Sequence, residues 1–118
     1  MSSFKDLKIW QISVNLAVDV YKLARKFPAN ERFGLFSQLT RSVNSIGANI
    51  AESCGRFHFK DKVNFLYHAR GSLIETEHHL IIAQKLGYIT ELELSKLSDA
   101  IKDLGIKLNN YIKTVSDH

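Results

Sequence analysis

Phe36, Leu39, Val43, Ile46 and Ile50 recur at alternating steps of three and four residues, so a helix through this stretch carries a continuous apolar seam. The polar positions are equally regular. Arg41, Ser45, Asn49, Glu52 and Arg56 follow at helical spacing on the other side, a ladder of side chains able to bond a neighbouring helix or a ligand. The spacing predicts one long helix from Phe33 to Arg56. Asn30 is a capping residue type, and Glu31 falls in the first turn, where a carboxylate meets the positive end of the helix dipole. Gly55 readily takes the left-handed conformation that ends a helix. Gly34 and Gly47 weaken the interior by about 1 kcal/mol each relative to Ala, so their expected value is close approach of another backbone.

Three further segments show the same period. A first helix is predicted over Lys5 to Lys26, stopped because Pro28 disfavours helical geometry at Phe27. It is apolar on two sides. Leu7, Trp10, Val14, Ala17, Tyr21 and Ala24 make one seam, whereas Ile9, Ile12, Leu16 and Leu23 occupy much of the remaining circumference. The first seam is predicted to face the core and the second an oligomer interface with another copy of the chain, with a loop or terminus as the alternative cover. On that assignment a charge at Leu16 breaks the assembly, and a charge at Val14 unfolds the subunit.

The third helix is predicted to start between Phe59 and Asp61 and to end at Gly87. Its seam is Leu66, Ala69, Leu73, Thr76, Leu80 and Ala83, and its middle is slim at Ala69, Gly71 and Ser72. Thr90 and Glu93 open a fourth helix with a capping box. That helix continues through Leu94, Leu97, Ile101, Leu104, Leu108, Tyr111 and Val115, leaving Leu92 and Ile106 on its outer side. Strand alternation, hairpin signals, linkers and repeats are absent. The chain therefore reads as all-α, one domain over residues 1–118, an antiparallel up-down-up-down four-helix bundle.

Composition and charge narrow the function. With 118 residues, 45% of them hydrophobic, the chain can fill one core. A formal charge of +4 permits contact with a phosphate backbone without requiring it. The excess is uneven: Phe4 to Lys26 holds five basic and two acidic residues, whereas Ile89 to His118 holds four basic and five acidic. An anion is expected to meet the first helix, where Lys8, Lys22 and Arg25 with Gln11 and Asn15 lie along one strip suited to sequence-independent phosphate contacts. No aromatic stacking platform accompanies that strip. Arg41 and Arg56 extend the candidate surface if the ladder is a binding strip. The alternative is internal use, an Arg41–Glu75 bridge together with Glu52–Arg56.

Chemistry beyond binding finds little support. Glu75-x-x-His78 is one half of a carboxylate-bridged di-metal motif, but the second copy and the two further glutamates are missing. His68 borders the third helix's seam and is expected to be a packing histidine. The single Cys54 cannot form an internal disulfide and reads as a structural thiol near a helix end. No phosphate-binding loop, nucleophile elbow or zinc-spaced cysteine set occurs. We expect no enzyme activity, no metal, no cofactor and no membrane span, and a cytoplasmic location.

The ordered residues also carry a family resemblance. They run Phe4-x-x-Leu7-x-x-Trp10-Gln11, then Phe27-Pro28-x-x-Glu31-x-Phe33-Gly34-Leu35-x-x-Gln38, Arg41, Ser45-Ile46-x-Ala48-Asn49-Ile50-Ala51-Glu52 and Gly55-Arg56. Phe65-Leu66, Ala69-Arg70-Gly71-Ser72-Leu73, Glu75 and Leu86-Gly87-Tyr88 continue the series. Together they resemble the four-helix-bundle family of proteins encoded in intervening sequences of bacterial 23S ribosomal RNA genes, also called the S23 ribosomal protein family. The name reflects gene location, not a place in the ribosome. The resemblance implies a homo-oligomer, commonly a pentamer, without known catalysis. The family is in turn similar to the accessory variability protein of diversity-generating retroelements, which implies RNA or DNA and a reverse transcriptase as partners. A protein-interaction scaffold without nucleic-acid affinity remains the other reading. The chain departs from the family pattern at Gly47, where proline is usual, and at Ser53, where glycine is usual, so the course and exit of the second helix are expected to differ.

Overall fold

Four helices carry the chain in a computed structural model that describes residues 3–118: α1 (Lys8–Ala24), α2 (Leu35–Cys54), α3 (Phe59–Lys85) and α4 (Glu91–Ser116). They form an all-α bundle, with no strand among the described residues. Helices adjacent in sequence pack on each other, and α4 closes back on α1. At 1.5 Å per residue α3 alone runs about 40 Å, most of the 45 Å long axis.

Three boundaries differ from the sequence expectation. A 3-10 turn, Phe4–Asp6, is separated from α1 by extended Leu7 (φ −74°, ψ 126°), so the first helix begins at Lys8 and not Lys5. Asn30 lies inside a second 3-10 turn, Ala29–Glu31, and does not cap α2. Glu31 takes that role from outside the helix, its carboxylate accepting from the Leu35 amide at 3.1 Å. Gly55 ends α2 in a right-handed conformation (φ −84°), so the left-handed cap expected there is absent. Gly87 supplies one after α3 (φ 81°). The Gly87 amide donates to the Gln84 carbonyl and the Tyr88 amide to the Ala83 carbonyl, both at 2.9 Å, which satisfies carbonyls the helix end would otherwise leave unpaired. The Thr90–Glu93 capping box forms in both directions.

The seams of α2 and α3 are buried as their spacing predicts, apart from half-buried Phe36. In α4 the core takes Ile112 in addition, while Leu94 and Tyr111 are half-covered. Helix α1 is rotated from the expected orientation. Its buried residues are Ile9, Ser13, Leu16, Val20 and Ala24, whereas Val14 and Ala17 are half-buried and Tyr21 is exposed. Ile9 and Leu16 therefore lie in the subunit's own core and offer nothing to another chain. Ile12 and Leu23 are half-buried against the same core. The cause is Ser13. A polar residue at the centre of the true seam disguises it, yet the hydroxyl is satisfied locally by donating to the Trp10 carbonyl at 2.6 Å. Its small size lets α2 approach so closely that a Cβ at Gly47 would lie 2.8 Å from the Ser13 oxygen.

Hydroxyls serve the same purpose elsewhere. Ser42 on α2 and Thr76 on α3 meet at 2.9 Å between the helices, and each also bonds a carbonyl of its own helix. Ser53 is buried and donates to the Ile50 carbonyl. The departures at Gly47 and Ser53 thus both fall at buried positions of α2. No buried side-chain polar atom lacks a partner among the described residues, as a core containing hydroxyls requires.

Candidate nucleic-acid interface

With Ser13 and Leu16 turned inward, helical geometry carries Lys8, Gln11, Asn15, Lys22 and Arg25 onto the opposite face of α1. All five are exposed. Lys8, Lys22 and Arg25 make no ion pair among the described residues. The amide of Gln11 is partly committed, donating to the Lys5 carbonyl at 2.9 Å. Exposed Val18 and Asp19 interrupt the strip between Asn15 and Lys22, so its cations sit at two ends of the helix, roughly 20 Å apart by helical rise.

Arg41, on α2, and Arg56, just beyond its end, are both exposed and lie on other segments than that strip. Arg56 pairs with Glu52 at 2.9 Å, and its guanidinium lies 4.5 Å from the Phe65 ring centroid. Arg41 forms no bridge to Glu75 among the described residues. Glu75 instead faces His79, 3.0 Å away and one turn along α3. Half of the internal scheme for the ladder is therefore present, Glu52–Arg56, and Arg41 is left facing solvent. Asn49 is used within α2, donating to the Ser45 carbonyl at 2.8 Å.

The motif that raised metal chemistry is arranged differently from its spacing. His79, not His78, is the buried histidine and the partner of Glu75. No group of three or more potential ligands gathers among the described residues. His68 is exposed, not packed. Cys54 is exposed as well, at a cleft shared with Ser53, Lys62, Leu66 and Tyr111, so a buried structural role does not apply. Burial, with Cys54 nearby, holds the Tyr111 hydroxyl above the usual tyrosine range. Among the described residues no helix is long and apolar enough to cross a membrane.

The sequence reasoning missed the corner between α2 and α3. Arg56, Phe57, His58, Phe59 and Lys60 are all exposed there, and Phe57 is 89% exposed. Phe59 stacks on His118 at 4.5 Å and 15°. The signal was the run Arg-Phe-His-Phe-Lys beside Gly55, aromatic residues alternating with basic ones at a helix break.

A family model described as 23S rRNA-intervening sequence protein matches residues 5–110. A crystal structure of a protein of unknown function from the S23 ribosomal protein family of Bacteroides thetaiotaomicron is similar, with 27% identity and a TM-score of 0.82. The match covers 89% of this chain and 98% of that one. No curated protein matches the sequence.

Proposed function

The chain belongs to the 23S rRNA-intervening sequence protein family, and on that premise we propose that it is a non-enzymatic, self-associating bundle that binds RNA or DNA through its basic outer surface. The observation that carries this is the outer face of α1. Five polar or basic side chains stand there in solvent, and none of the three cations is neutralised by an acidic partner among the described residues. Such a face suits phosphates, whose contacts position a protein without reading sequence. Arg41 adds a fourth cation on the neighbouring helix, exposed and without an acidic partner among the described residues.

Self-association must use other residues than Ile9 and Leu16. The apolar side chains left outside lie chiefly on α3 and α4: Ile74 is 65% exposed and Ile106 55%. Arg70 donates to Asn109 at 3.1 Å, and Gly105 faces Leu73. That antiparallel register sets Ile74 and Ile106 level with each other, flanked by exposed Tyr67 and Ile81. Covering this surface between copies would remove apolar area that monomers seldom expose in one place.

Filter-binding titrations at two salt concentrations test the nucleic-acid part. Retention of RNA or DNA that weakens as salt rises is expected, with a shallower salt dependence after Lys22→Glu and Arg25→Glu. No retention at low salt would remove it and leave a protein-interaction scaffold. Light scattering tests the assembly: a multiple of the subunit mass is expected, reduced to the monomer by Ile74→Glu with Ile106→Glu.

A further inference from the structure

Three phenylalanines cluster in sequence at the α2–α3 corner, and two are already occupied. Phe65 lies under the Arg56 guanidinium, and Phe59 is stacked on His118. Phe57 differs. Its one ring neighbour among the described residues, His58, meets it at 89° with centroids 5.0 Å apart, which leaves a ring face open to solvent. The ring is not on a loose loop. The Gly55 amide donates to the Glu52 carbonyl at 3.0 Å, the Arg56 amide to the Ser53 carbonyl at 3.3 Å, and the Lys62 amide to the His58 carbonyl at 3.0 Å, so both sides of the corner are fastened to helix ends.

We propose that this corner binds single-stranded nucleic acid by stacking an unpaired base on Phe57, with Lys60, which pairs with no acidic side chain among the described residues, close by in sequence for the adjoining phosphate. The inference rests on the nucleic-acid function proposed above and adds the strand type and the place. A base is the occupant the surroundings favour. Residues 55–60 are exposed throughout and include Arg56, His58 and Lys60, so Phe57 stands as a single open ring among basic groups. A protein partner would be met by a contiguous apolar patch. Every base, by contrast, offers a π-face to an aromatic ring while its phosphates meet cations, which gives affinity with little sequence preference. Duplex DNA or RNA keeps its bases stacked on each other and gains nothing from the ring. Phe33, at the other end of the molecule, is as exposed as Phe57, but Arg32 already lies over it at 5.3 Å. It serves as the internal control.

Fluorescence anisotropy with labelled oligouridine, oligothymidine and a duplex of equal length tests the inference. The wild-type chain is compared with Phe57→Ala, Phe57→Trp, Phe33→Ala and the double variant Lys22→Glu, Arg25→Glu. Wild type is expected to prefer both single strands to the duplex. Phe57→Ala should weaken single-strand binding about tenfold, leave the duplex and the salt slope unchanged, and be rescued by Phe57→Trp. Preference for one single strand over the other tells RNA from DNA. If Phe57→Ala binds as wild type while the double variant weakens every probe, the stacking site is wrong and the broader function stands. Selective loss in Phe33→Ala would also overturn it, by moving the site to the other end. Absence of binding to any probe would overturn both.

Discussion

At the end of the bundle where α1 meets α2 and α3 meets α4, the two connections are bound to each other. The Tyr88 hydroxyl donates to Glu31 at 2.8 Å, and the other oxygen of the same carboxylate caps α2. Lys26 pairs with Glu93, Phe27 packs against Tyr88 with ring centroids 5.4 Å apart, and neighbouring Ile89 is buried. At the opposite end, among the described residues, the α2–α3 corner bonds to its own helices and stacks on His118, and Phe57 points into water. A buried aromatic costs free energy to remove, whereas an exposed one contributes little to folding. The difference separates an end that holds the fold from an end free to hold something else.

That contrast depends on the shaft joining both ends, and the largest effect is expected there. Leu16→Glu would bury an unpaired charge in the core and should cost more than about 4 kcal/mol, unfolding the subunit. Val14→Glu, at a half-buried position, should remain folded. Circular dichroism and thermal melts distinguish the two, and the opposite outcome would restore the interface originally expected at Leu16.

Between the ends, Phe27→Ala should lose about 3 kcal/mol in urea unfolding, whereas Phe57→Ala should stay within about 0.5 kcal/mol of wild type. Equal losses would erase the distinction. Thr90→Ala removes one half of the α4 capping box and should cost about 1 kcal/mol, read in the same titration.

The smallest effect is a pH dependence. The Glu31 carboxyl is held below its usual range by the bond from the Leu35 amide and then by Tyr88, and Glu93 by Lys26 and then the Thr90 amide. Depressed carboxyl groups add stability above their unfolded pKa and lose it as the pH falls through the folded value. The tied end should therefore loosen in acid, and Glu31→Gln should flatten the acid limb of a melting-temperature profile. The Tyr88 hydroxyl is raised by the same bond. Its contribution is complete below the unfolded tyrosine value and is lost as the pH rises through the folded one.

Much of this architecture is legible in the sequence. The seams of α2 and α3 repeat without a polar interruption except Thr76, which keeps the period. The Thr90–Glu93 box and Gly87 announce themselves by residue type. The orientation of α1 is not legible, because half-buried Trp10 and Val14 and exposed Tyr21 are more apolar than the Ser13 that lies inside. Burial there follows from the close approach at Gly47, a property of two helices together. The strip on α1 could be read because it consists of cations at helical spacing. Phe57 carries a weaker signal, the basic and aromatic alternation around it, because an aromatic residue near a turn looks like core until the corner shows it has no core to enter. His68 and His79, eleven residues apart, share one side of α3 and differ in burial only by their place along it.

The most direct test is zero-length photocrosslinking of a 5-iodouridine-substituted single strand to the wild-type chain, followed by mapping of the modified peptide. If the α2–α3 corner holds the bases, the crosslink should fall on Phe57 or its immediate neighbours, with none on Phe27, Glu31 or Tyr88 at the tied end, where Lys22 and Arg25 meet phosphates only. A crosslink confined to that tied end, or none at low salt, would contradict the division of the bundle into a structural end and a binding end.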